Sequence, residues 1–283
     1  MPLTRIPVHL TSLRHLLRVV QTLVALAPLA VVAQDDIRLY AFDCGHAQFS
    51  DFSIASDTGE LDGRAAELAD PCFLIKHPRG WLLWDAGLPP GEPIEQGGRR
   101  VQPAAPLSQQ LNLLGIAPKD VGLIAFSHLH FDHVGNANQF AQATWLLNRS
   151  ELAWAQAEPA HVSMQPQWFS AYAQAQVRWI DGDHDVFGDG RVRILLMPGH
   201  TPGSSALLLR LRKTGAVLLS GDLYISDEGR AKQLVPRVNA NRADTLASMA
   251  RFERIAKNLS ARVVVQHDPA EFARLPRPPA FLD

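Results

Sequence analysis

Three imidazoles and a carboxylate crowd into six residues at His128-Leu129-His130-Phe131-Asp132-His133. Side chains two apart on extended backbone point to one side, so His128 and His130 share a face where the apolar run from Val121 to Phe126 ends. Asp132 and His133 follow as the chain turns towards Gly135 and Asn136. Nitrogen and carboxylate donors at this density form the ligand set of zinc, which takes neutral imidazole and ionised carboxylate at about 2.0–2.2 Å. A polar surface turn accounts for a lone histidine far better than for this spacing.

More donors lie downstream, each just past a run that reads as a strand. His200 sits in Met197-Pro198-Gly199-His200-Thr201-Pro202-Gly203, Asp222 in Leu219-Ser220-Gly221-Asp222, and His267 in Gln266-His267-Asp268. Strand ends gathered on one sheet edge would deliver five histidines and two aspartates to one place, enough for two metals sharing a carboxylate. A structural zinc needs four ligands and keeps no open position, so the surplus points to catalysis.

The elements that must position these donors are legible in outline. Ile37 to Asp43, Cys72 to His77 and Trp81 to Trp84 read as strands, the last two turning at His77-Pro78-Arg79-Gly80. Further strands are expected at 144–148, 177–180, 192–197, 205–211, 216–219 and 261–265. Helices are expected from Pro106 to Leu114 with a stop at Gly115, from Ser150, and over Gln165–Gln176. A long helix over Arg242–Leu259, capped by Asn241, would bury Leu246, Met249, Phe252 and Ile255. The stretch 45–70 reads as a lid or binding loop, and 88–104, rich in Pro and Gly, as a surface excursion. His46, His77, His161 and His184 fit no motif and read as surface or loop residues.

At 283 residues, 47% apolar and 19% charged, the chain can bury a large core, and its formal charge of -1 leaves no electrostatic footprint for nucleic acid. Residues 1–33 differ in kind: Arg5, Arg14 and Arg18 precede an apolar run from Val19 to Ala33, too short for a spanning helix. They read as a secretory signal peptide cut after Ala33, with an uncleaved anchor as the other reading. Removal leaves residues 34–283 as one domain with 24 basic against 28 acidic residues, periplasmic or extracellular. An oxidising compartment would permit a bridge between Cys44 and Cys72. Their separation cannot be read from sequence, and the reading favours two free, half-buried thiols.

The motifs at 127–133, 198–203, 221–222 and 266–268 resemble, in that order, the metallo-β-lactamase fold superfamily, over nearly the whole mature chain. The resemblance implies an α/β fold, a four-layer αββα sandwich, with two Zn²⁺ per chain or other divalent metals in their place. It assigns His128, His130 and His200 to one metal, Asp132, His133 and His267 to the other, and Asp222 to both. Asp85 falls where the superfamily has an aspartate supporting the ligand loops. True metallo-β-lactamases lack the bridging aspartate. The phosphodiesterases handle anionic substrates, and no basic cluster stands beside these motifs to clamp phosphate; the glyoxalase II group stays open, though its glutathione thioester also wants basic residues near the site. The fullest likeness, through Phe-Asp-Cys-Gly, Leu-Leu-Trp-Asp-Ala-Gly and Gly-Asp-Leu-Tyr, is to the N-acyl homoserine lactonase group. Its best-known members carry a tyrosine three residues after the bridging aspartate. Here Tyr224 stands two after, to fill that role from another angle or to pack.

The implied activity is quorum quenching, by opening of the lactone ring through attack of a metal-bridging hydroxide. Two Zn²⁺ with Asp132 and Asp222 leave about +2, and a hydroxide lowers this to about +1, since a metal brings the pKa of its water from 15.7 to about 7. Asp132 would steer the nucleophile and Tyr224 would hydrogen-bond the oxyanion. The expected partner is a small ester or lactone, with no nucleic acid and no stable membrane insertion once the leader is removed; a homodimer stays open. The acyl chain needs an apolar cleft, expected from the 45–70 loop and Phe131. A broader exported hydrolase of aryl esters, organophosphates or halogenated aromatics would use the same metals with a different pocket. A non-enzymatic metal-binding protein would hold metal tightly without turnover, and the open position argues against it.

Overall fold

The computed structural model describes Met1, Pro2 and residues 36–283, 160 and 162 excepted, so the leader expected over 1–33 falls outside the described residues. Eight strands form one sheet: β1 Arg38–Phe49, β2 Ala66–His77, β3 Gly80–Trp84, β4 Ile94–Gln96, β5 Arg99–Pro103, β6 Leu123–Ala125, β7 Thr144–Leu147 and β8 Gln176–Trp179. Their order is β4-β5-β1-β2-β3-β6-β7-β8. Five more, β9 His184–Asp185, β10 Val192–Leu196, β11 Ser205–Leu211, β12 Gly215–Leu219 and β13 Arg262–Val264, form a second sheet in the order β13-β12-β11-β10-β9. Among the described residues six α-helices punctuate them: α1 Leu107–Leu111, α2 Phe131–Val134, α3 Arg149–Ala155, α4 Asp227–Lys232, α5 Arg242–Leu259 and α6 Pro269–Ala273.

Alternation along the strands builds the layers. Leu39, Ala41, Phe73, Ile75, Leu82 and Trp84 from the first sheet meet Leu207, Leu209, Val217 and Leu219 from the second. Their chain neighbours Tyr40, Phe42, Leu74 and Leu83 point outward beneath Leu107 and Leu111 of α1 and Leu152 of α3. Beyond the second sheet, Leu208 and Leu218 pack on Met249 and Phe252 of α5. Helices on both outer faces complete the expected αββα sandwich. Each sheet is covered on both sides, which is why several strands read as continuous apolar runs. Each large apolar side chain so buried contributes about 1.5–3 kcal/mol before conformational entropy is counted. α5 has its expected span, and the Asn241 side chain accepts from the Ala243 and Asp244 N–H groups.

Strand direction then places the donors. β3 and β6 are parallel, β12 and β13 are parallel, and β10 and β12 both run antiparallel to β11. The C-terminal ends of β10, β12 and β13 therefore lie on one edge of the second sheet, and those of β3 and β6 on one edge of the first. The two edges are stitched together by Ser205 N–H donating to Ser127 O (2.8 Å) and Ala69 N–H to His267 O (3.0 Å).

Four expectations are corrected. β1 runs on to Phe49 and β2 begins at Ala66, so the connection is only 50–65. The 88–104 excursion contains the β4–β5 hairpin, which pairs β5 with β1 and forms the sheet's edge. The helix expected over Gln165–Gln176 is two 3₁₀ turns, Pro166–Trp168 and Ser170–Ala173. Asn138 divides them, taking the Ala171 N–H on Oδ1 and giving Nδ2–H to Gln167 O, backbone groups a continuous helix would need. Finally, Cys44 and Cys72 are fully buried and joined by a disulfide. The β1–β2 register opposes Phe42 to Cys72 and becomes irregular after Asp43, which leaves the two cysteine Cα atoms 5.8 Å apart, within bonding range. Among the described residues no helix is long and apolar enough to cross a membrane.

Candidate metal centre

Seven donors converge where the two sheet edges meet. His128, His130, His200 and Asp222 form one group, and Asp132, His133 and His267 a second. Asp222 lies between them, only 7% exposed. Its Oδ2 is 3.4 Å from His200 Nε2 and 3.8 Å from His128 Nε2, while Oδ1 is 2.9 Å from His267 Nε2 and 3.1 Å from His133 Nε2. In the first group His130 Nδ1 lies 2.8 Å from His128 Nε2 and 3.1 Å from His200 Nε2.

The partners behind the rings decide what those atoms can hold. His267 Nδ1–H donates to Ala69 O at 2.7 Å, and His133 Nδ1 lies 3.1 Å from Asp85 Oδ2. With Nδ1 protonated in both, the two Nε2 lone pairs face each other at 3.2 Å and both look at a carboxylate oxygen. Asp222 Oδ1 has no hydrogen-bond partner despite this company, and neither has the buried Asp70 Oδ2 nearby. Such an arrangement is repulsive unless positive charge sits among the donors, so the residues present fit divalent cations.

The proton affinities of the first group agree, and those of the second, drawn up by the carboxylates, mark where positive charge is wanted. Burial and the neighbouring imidazoles hold His128 and His130 well below the ordinary histidine value, keeping them neutral as ligation requires. Burial opposes charge on His267 too, but Asp222 overrides it and raises that ring to about 9; His133 is raised likewise by Asp222 and Asp85. Burial beside Asp132 pushes Asp70 well above the carboxylate range.

The backbone is bent to hold these groups. Asp85, directly after β3, is fully buried with φ +57°. That conformation costs an L-residue about 1–2 kcal/mol and persists only where the surroundings fix it. Here Oδ1 accepts the Ser127 N–H at 2.6 Å and Oδ2 accepts Gln266 Nε2–H at 2.9 Å, beside His133 Nδ1. Gly221, φ +53°, permits the turn into Asp222, because a Cβ there would lie 2.8 Å from Ser127 Cβ.

Comparison with known proteins places this geometry. The model of the metallo-beta-lactamase superfamily matches residues 67–267, which include every donor. The chain belongs to that superfamily. It is 30% identical over 271 residues to the N-acyl homoserine lactonase AttM of Azorhizobium caulinodans, covering 88% of this chain and 99% of the relative. A solved N-acyl homoserine lactone hydrolase with the product N-hexanoyl-L-homoserine at its catalytic metal center superposes with a TM-score of 0.76 at 23% identity, covering 86% of this chain and 98% of that one. AidC, a dizinc quorum-quenching lactonase, superposes with a TM-score of 0.65 at 19% identity, over 82% and 88% of the two chains.

Within this superfamily frame the structure brings together every expected donor and leaves Tyr224 out. Tyr224 is 0% exposed and packs in the α5 layer, its ring 5.8 Å from Phe252. Burial there raises its phenol further from ionisation. Ile225 lines the cavity instead, so the oxyanion role expected of Tyr224 is withdrawn. Its neighbour in sequence faces the site because successive side chains of the extended segment after Leu223 alternate.

Sequence reasoning missed three supporting residues and one, Arg99, that only lines the cavity. Glu151, buried in α3, accepts the Leu129 N–H at 2.9 Å and the Gly203 N–H at 2.8 Å, clamping the two ligand loops together. It stands three residues after the N-cap Asn148, where an acidic residue is ordinary, so nothing marked it out. Gln266 accepts from Trp84 Nε1–H and Gly221 N–H while donating to Asp85. His161, which matched no motif, stacks on His130 with ring centroids 5.8 Å apart. Arg99 of β5 lines the metal cavity from the segment read as an excursion. His77, expected at the surface, is buried between Asp189 and a stacked Phe187.

Proposed function

We propose that this protein is a dinuclear zinc hydrolase that opens the ring of N-acyl homoserine lactones. The observation that carries the reading is Asp222, whose two oxygens each face a separate group of imidazoles. His128, His130 and His200 would hold one cation, Asp132, His133 and His267 the other, and Asp222 both. Bound there, two zinc ions would supply a nucleophile ionised near neutral pH and Lewis acidity for an ester carbonyl and its departing alkoxide.

The chain's own residues do the rest. Asp132 is partly exposed, lies 4.0 Å from His133 Nε2 and lines the cavity, which supports a role in accepting a hydrogen bond from the nucleophilic water. Phe49, Ile54, Leu68, Phe131, Ile225, Pro236 and Val238 supply an apolar wall around the histidines in a cavity of about 90 Å³. They would exclude water and seat the start of the acyl chain, in keeping with the relatives' activity. Phe49, Ile54 and Leu68 come from the 45–70 stretch.

Export belongs to the same proposal. The Cys44–Cys72 disulfide supports an oxidising compartment, and with the leader expected over 1–33 it favours a periplasmic or extracellular enzyme. Zinc-loaded protein should hydrolyse acyl homoserine lactones far faster than β-lactams or paraoxon. Comparable rates on all three classes would replace this reading with that of a broad esterase, and no turnover with metal bound would replace it with a metal-binding protein.

A further inference from the structure

We propose that Arg99 makes this enzyme selective for acyl groups that carry an acceptor oxygen beyond the amide, a deepening that rests on the lactonase reading above. Arg99 lines both the metal cavity and a larger adjoining cleft of about 310 Å³. The cleft runs between the β4–β5 hairpin and Trp168, with Leu88, Ile94 and Val101 in its wall. Phe131, flanked in sequence by the donors His130 and Asp132, forms the partition between the two spaces, and the Arg99 guanidinium sits over its ring at 5.5 Å from the centroid. An acyl chain leading from the metals into the cleft passes this guanidinium.

The group is uncommitted. Among the described residues no carboxylate lies within 4.0 Å of the Arg99 side chain, whereas its neighbour Arg100 is paired with Glu95 at 2.8 Å. An aromatic face holds a guanidinium in place without using up its N–H donors. A single fork of that kind suits one carbonyl oxygen and not a phosphate, which would call for further cations. With the metal centre itself positive, a plain alkyl chain gains nothing from Arg99, while a ketone oxygen two carbons from the amide carbonyl gains a charge-assisted hydrogen bond. Because Arg99 is only partly buried, the gain is about tenfold in kcat/KM and falls mainly on KM.

The test compares matched lactones, octanoyl against 3-oxo-octanoyl homoserine lactone, on the zinc-loaded wild type and on Arg99→Ala, with zinc content as a check on the site. The wild type should favour the 3-oxo substrate about tenfold, and Arg99→Ala should bring the ratio to about one by raising KM for the 3-oxo substrate alone. Equal wild-type rates on the pair, a preference that survives Arg99→Ala, or an equal loss on both substrates overturns the inference while leaving the lactonase reading intact. No turnover of either lactone by the wild type overturns both.

Discussion

Asp222 is the residue that the two groups of donors share, because its Oδ1 and Oδ2 face different imidazoles. Asp222→Asn keeps the shape but removes the shared charge; retained metal should fall below that of the wild type and lactone turnover by at least a hundredfold, read by metal analysis alongside steady-state kinetics. Asp85 acts one step back, through His133, the Ser127 N–H and Gln266. Asp85→Ala should weaken zinc binding about 10–100-fold in competition with a chelator, as loss of a ligand's supporting partner does. Glu151→Ala would strand two buried N–H groups, those of Leu129 and Gly203, at a cost of about 2–4 kcal/mol in denaturant unfolding. At this scale the converging donors were legible because imidazole and carboxylate spacing is written in the chain. Glu151, Gln266 and Arg99 were not, because their work depends on which distant backbone or cavity the fold brings to them. Tyr224 shows the same limit from the other side: a one-residue offset on extended backbone turned an expected site residue into the core.

The elements were legible where one periodicity dominates and obscure where side chains compete for backbone. The α5 span and its Asn241 cap follow from helical spacing, whereas Asn138 breaks a promising helix by capturing Gln167 and Ala171. The disulfide lies at the junction of element and site. Behind it, Gly87 with φ +62° would place a Cβ 2.2 Å from Cys44 Cβ. In front, Ala86 N–H donates to His133 O and Gly87 O accepts the Gly135 N–H, each at 2.7 Å, so the segment after Asp85 is stapled to α2. Replacing both cysteines by alanine should lower unfolding free energy by about 3.6 kcal/mol, the value for a loop of this length, and loosen zinc retention as well. Unchanged metal affinity would show that the bridge serves stability alone. His77, at the end of β2, offers a pH test away from the metals. Its Nδ1 accepts the Arg79 N–H at 3.1 Å and its Nε2 faces Asp189 at 2.9 Å, while burial holds its affinity for a proton below the ordinary value of 6.5. The unfolded chain then binds the proton more readily, so this contribution is present above pH 6.5 and is lost as pH falls towards the folded value. Its size is at most about 1.4 kcal/mol per pH unit, the limit for one proton. The difference in unfolding free energy between wild type and His77→Leu should shrink accordingly from pH 7.5 to 5.5; a constant difference would mean that His77 does not titrate in that window.

Across the described residues, two sheets of unequal size are held face to face by one apolar layer, which reaches the donor edge at Ala69, Trp84 and Ala125. The sandwich was legible because both sheets are covered on two sides and their strands read as apolar runs ending in donors. The edge hairpin β4–β5 was not, because its Pro- and Gly-rich flanks mask a short pairing that only the exposed edge of β1 completes. Metal should stabilise the assembled chain as well as activate it, since the donors span residues 128–267 and a ligand that binds only the folded form raises its stability. Zinc titration of metal-stripped protein, followed by hydrolysis of an acyl homoserine lactone, tests the shared site most directly. Activity should climb to a plateau at two zinc ions per chain, whereas full activity at one equivalent, or with none, would contradict a centre built around Asp222.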